Sequence, residues 1–182
     1  MANTKTSKAT TAKKTTAKAK APVVEPNEER VVPKDIDLNE YITVRNGFQG
    51  KLVYISKRSR EKFVWDDFGD KQELELRELK NARSSAKAFF ENNWFMFDEE
   101  DMWVVDYLGV SKYYENAVAI DEFDDIFEST PAKVKEIIGK MSRGQANSLA
   151  YRARQKVMDG EIDSRKLITA LEEALGIELI EK

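Results

Sequence analysis

The chain of 182 residues contains no cysteine and no histidine. The first absence excludes disulfides and thiolate metal centres. The second removes the side chain most often used as a general base or metal ligand near neutral pH. Proline is scarce at four residues, and three of them (Pro22, Pro26 and Pro33) share one short stretch. No apolar run approaches the roughly 18 residues that suggest a membrane span. The N-terminal region has lysines but no apolar core segment, so no secretory signal is expected. A glycine-rich phosphate loop and a serine in a nucleophile elbow are also missing. These absences predict a protein that is not an enzyme, holds no cofactor or metal, and works in the cytosol or in an assembly built there.

What the chain does have is unevenly placed charge. The first 21 residues carry six lysines (Lys5, Lys8, Lys13, Lys14, Lys18 and Lys20), six threonines and six alanines, with no acid and no aromatic. The remaining 161 residues carry 24 basic and 33 acidic side chains. The formal net charge of −3 therefore combines a +6 tail with a −9 body. A segment without large apolar side chains cannot offset its ordering entropy, so disorder is expected there. Six spaced lysines suit weak, salt-sensitive contact with a polyanion, because each one that neutralises a phosphate releases counterions. They also suit an acidic protein surface. Residues 91–128 offer one, with twelve acids and a single base, Lys112.

The patterning predicts an α+β protein in three parts. Residues 1–40 form a Lys/Thr/Ala-rich tail and a Pro-containing linker. Residues 41–97 form a small β module. Tyr41–Val44, Lys51–Ser56, Lys62–Trp65, Gln72–Leu76 and Trp94–Phe97 read as five short strands. Asn46-Gly47 and the polar stretch 57–60 read as turns, and residues 77–91 as a helical connection. Such strands predict either a small antiparallel barrel of SH3-like type, which removes exposed edges, or an open meander packed on helices.

Residues 98–182 read as helical. Asp98 is expected to cap a helix opening with Glu99, Glu100 and Asp101, with Gly109 as its stop and a further short helix at Asp121–Phe127. Thr130-Pro131 predicts an N-cap followed by proline at the first helical position. Val134, Ile137, Ile138 and Met141 then fall on one stripe. Ala146, Leu149, Ala150, Ala153 and Val157 make a second stripe ending at Gly160. Asp163 is expected to cap a third helix, with Leu167, Ile168, Leu171 and Leu175 inward and Gly176 as its end. These three helices are expected to form a small bundle.

Candidate contact residues fall into two groups. Lys57, Arg58 and Arg60, near Lys51 and Lys62, make a basic stripe on the predicted hairpin. With exposed aromatics such a stripe stacks unpaired bases. The more ordinary expectation is that Trp65 and its neighbours fill a small core. Helices 131–141 and 144–158 match a helix-turn-helix in length, which would turn Arg152, Arg154 and Lys156 toward a nucleic-acid backbone. The alternative is the outer face of an amphipathic helix. Asp121, Glu122, Asp124 and Asp125 lack the spacing and the glycine of a calcium loop.

The stretch from Ile42 to Phe97, with VRNGFQGKLVYISK, FVWDDFGD and NNWFMF, resembles small structural and assembly proteins of tailed bacteriophages. The resemblance implies a virion-associated or assembly role, with other protein subunits as partners and the host cytoplasm or the virion as location. No functional residue carries over from it. The alternative expectation is a nucleic-acid-binding regulator that uses the C-terminal helices and the basic tail.

Overall fold

The computed structural model describes residues 30–180. The six tail lysines and the linker up to residue 29, with Pro22 and Pro26, therefore lie outside the described residues. The architecture is α+β, with all five strands before residue 98 and three successive helices after residue 130.

All five expected strands are present: β1 (Tyr41–Asn46), β2 (Leu52–Ile55), β3 (Lys62–Trp65), β4 (Lys71–Glu75) and β5 (Phe95–Phe97). Their arrangement corrects both expected topologies. The strands form two separate sheets, β4-β1-β5 and β2-β3, so no barrel closes and no sequential meander forms. The reason lies in β1. It pairs antiparallel with β4 along Tyr41–Arg45 and with β5 along Val44–Asn46, which occupies both of its edges. The β2-β3 hairpin is left with its own ladder and rests on the first sheet through side chains. Trp65 Nε1 donates to the Val44 carbonyl at 2.9 Å, and Gln72 Nε2 donates to the Val64 carbonyl at 2.9 Å.

Asn46-Gly47 ends β1, but it anchors a loop rather than closing a tight hairpin. Asn46 is buried; its Nδ2 donates to the carbonyls of Gly50 and Asp67, and its Oδ1 accepts from the Phe48 amide, each at 2.8 Å. The 57–60 turn forms as expected. Buried Ser56 accepts from the amides of Arg58 and Ser59, and Arg60 takes a left-handed φ of 66°.

The helices are α1 (Leu76–Ser85), α2 (Ala88–Glu91), α3 (Trp103–Tyr107), α4 (Pro131–Lys140), α5 (Arg143–Met158) and α6 (Arg165–Leu175). Thr130 caps α4 through the Lys133 amide, and Gly176 closes α6 in the left-handed conformation. Two expected caps are corrected. Asp98 makes no capping bond; its carboxylate turns instead to Arg45 and Lys71, and a 3-10 turn at Glu99–Asp101 follows it. The cap of α6 is Ser164, not Asp163: its hydroxyl lies within reach of the Leu167 amide. The stretch Asp121–Phe127 folds as consecutive 3-10 turns rather than as an α-helix.

Two hydrophobic cores result. The first gathers the strands, α1, α2 and α3, from Ile42 to Tyr114, with Trp65, Phe90 and Phe95 fully buried. The second runs from Val118 to Leu179 and takes Val134, Leu149, Ile168 and Leu171 from the three C-terminal helices. The change of periodicity at Asp98 marks a change of element type, whereas the cores divide between Tyr114 and Val118.

A seam of polar contacts and close backbone approaches joins the cores. The buried face of α5 includes Gly144, Gln145 and Ser148, which an apolar stripe does not predict. Gln145 exchanges both of its amide groups with the backbone of Val118, at 3.1 and 2.7 Å. Ser148 Oγ donates to the Gly47 carbonyl at 2.9 Å and accepts from the Gln49 amide at 3.2 Å. Between these groups lies the Asn92-Asn93 turn. A Cβ on Gly144 would sit 2.1 Å from the Asn92 carbonyl oxygen, and one on Gly47 would sit 2.0 Å from that of Asn93. Only glycine allows the backbones to approach so closely.

Candidate interaction surfaces

Much of the acidic stretch 91–128 is tied to bases from elsewhere in the fold. Arg45 on β1 reaches Asp98 at 3.0 Å and Asp121 at 2.8 Å, and Lys71 on β4 adds a second cation to Asp98 at 2.8 Å. Burial pushes the Asp98 carboxyl up, but the hydrogen bonds and charges of Lys71 and Arg45 outweigh it and hold the group below its ordinary range. Asp121 is likewise lowered, chiefly by the Arg45 hydrogen bond. Asp124 receives Arg152 in a forked pair at 2.6 and 2.7 Å, with Lys156 at 3.5 Å. The Arg152 guanidinium also lies 4.8 Å from the centre of the Phe68 ring.

Asp101 behaves differently. Burial and the charges of Glu100, Asp98 and Glu40 raise its carboxyl, although it accepts the Thr43 amide. Glu99, Glu100, Glu115, Glu122, Asp125 and Glu128 make no ion pair among the described residues. They form the uncompensated part of the acidic surface.

The hairpin residues separate in the same way. Arg58 turns inward to Glu78 at 3.2 Å, with Glu75 at 3.9 Å. Lys57, Arg60 and Lys62 are exposed and make no ion pair among the described residues, while Lys51 pairs with Asp66. Beside them the outer face of β2 presents apolar groups: Val53 is 37% and Ile55 57% exposed, whereas Leu52 and Tyr54 point into the core. The aromatics follow the more ordinary of the two expectations and fill the core. Trp65, Phe90, Phe95 and Phe97 are all buried, and Phe89, Phe90 and Trp65 pack around Phe95.

A second exposed face lies on α5. Tyr151 is 51% and Met158 78% exposed, and Arg154, on the same face, reaches the Glu178 carbonyl at 3.3 Å. Of the three bases expected on this helix, Arg152 and Lys156 lie on its inner flank against Asp124, and only Arg154 points outward. Sequence reasoning missed Tyr151 and Met158 as surface groups. Their spacing of seven, off the apolar stripe, was the available signal.

Two shallow, open depressions lie on the described surface, one lined by Tyr41, Thr43, Lys71, Gln72 and Glu73 and another by Asp98, Glu99 and Glu100. Among the described residues no group of three carboxylates is placed to hold a metal ion, and no helix is long and apolar enough to cross a membrane. No protein-family model, curated protein or solved structure matches the chain.

Proposed function

We propose that the chain is a non-enzymatic structural or assembly subunit of a phage-type particle, acting through contacts with other protein subunits. The tail lysines Lys5, Lys8, Lys13, Lys14, Lys18 and Lys20 serve as an accessory arm for acidic surfaces or for packaged nucleic acid. The observation that carries this reading is the placement of exposed apolar groups. Four of them, Val53 and Ile55 on the outer side of β2 and Tyr151 and Met158 on the outer side of α5, lie beside bases that make no ion pair among the described residues. Apolar groups rimmed by charge are the signature of a protein contact. The uncompensated acids on the 98–128 surface supply the opposite charge for a neighbouring subunit.

The test is light scattering on the full chain across a concentration and salt series. Masses above 20.9 kDa that fall as salt rises support contact through these faces. A 20.9 kDa species throughout, combined with no binding to other subunits of the particle, removes the reading.

Nucleic-acid binding is the second reading, and the exposure of Lys57, Arg60 and Arg154 favours it. The engagement of Arg58, Arg152 and Lys156 in ion pairs within the fold weighs against it, because each would have to exchange a carboxylate for a phosphate. Binding to duplex and single-stranded DNA across a salt series, with and without residues 1–21, separates the two. Salt-dependent binding that survives removal of the tail assigns the contact to the folded body.

A further inference from the structure

The outer face of α5 carries a row of exposed side chains at intervals of four: Arg143, Asn147, Tyr151, Gln155 and Asp159. Residues four apart form one of the ridges through which helices pack on each other. Tyr151 stands at the midpoint, with Arg143 eight residues before it and Asp159 eight after. Met158, 78% exposed, flanks the row. Phe48, 36% exposed, lies on a loop whose Gly47 and Gln49 backbone groups bond Ser148, three residues before Tyr151.

The charges at the two ends of the row have the wrong sign for their own helix. Arg143 occupies the first turn, at the positive end of the macrodipole, and Asp159 is the C-terminal cap residue, at the negative end. The N-terminal capping bond comes from Ser142, not from Arg143. Neither Arg143 nor Asp159 makes an ion pair among the described residues. Both are suited by the opposite end of a second α5. Laid antiparallel about a two-fold axis at Tyr151, a second copy sets Arg143 against Asp159 and Asn147 against Gln155. Each pair forms twice, because in such a contact residue i meets j and j meets i. Other surfaces of a second copy fit less well. The β2-β3 hairpin would bring Lys57, Arg60 and Lys62 against Arg143 and Arg154. The acidic 98–128 surface would face Asp159, and it has no exposed large apolar group to cover Tyr151 and Met158.

We infer that two copies of the chain pair through α5, antiparallel and symmetric about Tyr151, with Arg143 and Asp159 exchanged across the axis. This rests on the reading of the outer α5 face as a protein contact and names its partner as a second copy. Tyr151 and Met158 supply the apolar centre, and the two charge pairs fix the register. One helix pair lies at the small end of specific interfaces, below about 1,200 Å², so the dimer is weak and reversible.

The test is light scattering on the nuclease-treated full chain and on the full-length variants R143E, D159R and R143E/D159R. Each single reversal sets like charges together and should weaken self-association about tenfold, and the double reversal should return it to within about threefold of the original. Both single reversals suit the helix dipole better than the original residues, so the unfolding temperature of dilute protein holds or rises. A loss of association is then not a loss of fold. A full chain that stays monomeric, single reversals without effect, or a double reversal no better than the singles overturns the inference. So does association that appears only with added duplex DNA. Disulfide trapping reads the register, because the chain has no cysteine of its own. N147C chains mixed with Q155C chains should cross-link about tenfold faster than either alone, because like positions stand about 12 Å apart along the paired helices, beyond the roughly 7 Å Cα separation that a disulfide spans. Equal rates overturn the inference. None of these readouts touches the β2 face, so the inference can fail while the proposed function stands. The proposed function falls only when binding to other subunits fails as well.

Discussion

The Tyr54 hydroxyl donates to the Glu78 carboxylate at 2.6 Å in the first core, where both residues are at most 2% exposed. Asn81 and Arg58 complete the site at 3.0 and 3.2 Å. Burial and the adjacent charge of Glu78 push the Tyr54 hydroxyl well above its ordinary range, so it stays a donor throughout the stable pH range. Y54F removes that donor and leaves Glu78 Oε1 with Asn81 as its remaining donor. The expected loss is about 1.5–3 kcal/mol in urea unfolding, the usual worth of a hydrogen bond to a charged group.

Acid should weaken the fold through three carboxylates. Burial pushes Glu78 up, but bonds from Tyr54, Ser56, Asn81 and Arg58 prevail and lower it. Asp98 and Asp121 are lowered as well. A depressed folded-state value contributes stability that is present above the unfolded carboxylate range, about pH 4, and is lost as pH falls through the folded value. Asp101, being raised, contributes in the opposite sense and gains as pH falls. Urea midpoints measured from pH 7 down to pH 2 should therefore decline below about pH 4. D101N should raise the midpoint at pH 7 and leave the acid decline in place.

Gly144 and Gly47 test the seam between the cores. With Asn92 and Asn93 carbonyls 2.1 and 2.0 Å from the positions of an added Cβ, backbone must move to admit a methyl group. G144A should destabilise by about 1–3 kcal/mol, although alanine in an open helix would favour it by about 1 kcal/mol. G139A, on α4 with no atom near the added group, is the control and should stabilise. Chemical denaturation of the two variants side by side gives the sign of each.

Arg152 and Arg154 differ in what they hold. R152A removes the forked pair to Asp124 and the stacking over Phe68, and should cost about 1 kcal/mol after allowance for solvent around Asp124. R154A loses one contact to the Glu178 carbonyl at an exposed site and should stay within about 0.5 kcal/mol. Thermal unfolding of both variants checks the order. If nucleic acid binds α5, R154A weakens that binding at unchanged stability.

Strand positions and the 57–60 turn were legible because alternation and a run of polar turn residues are local signals. Which strands pair was not. Both edges of β1 are taken by strands distant in sequence, and no local pattern reports that competition. The same holds for charge. Asp98 has the composition of a helix cap, yet Arg45 and Lys71 offer it two cations that its neighbours in sequence do not reveal. The bases on α5 looked like one face, and the 3-10 turn carrying Asp124 divides them into an inner pair and an outer Arg154. The polar side of α5, Gly144, Gln145 and Ser148, escaped notice because it meets backbone groups rather than apolar side chains: Val118 at the start of its own core, and Asn92 and Gly47 in the other.

The most direct measurement is quantitative mass spectrometry of density-purified particles from cells that produce this chain. The account predicts the chain in the particles at a fixed copy number, retained after nuclease treatment because protein contacts hold it. Its absence from purified particles, with the protein recovered only in the soluble fraction, would contradict the account.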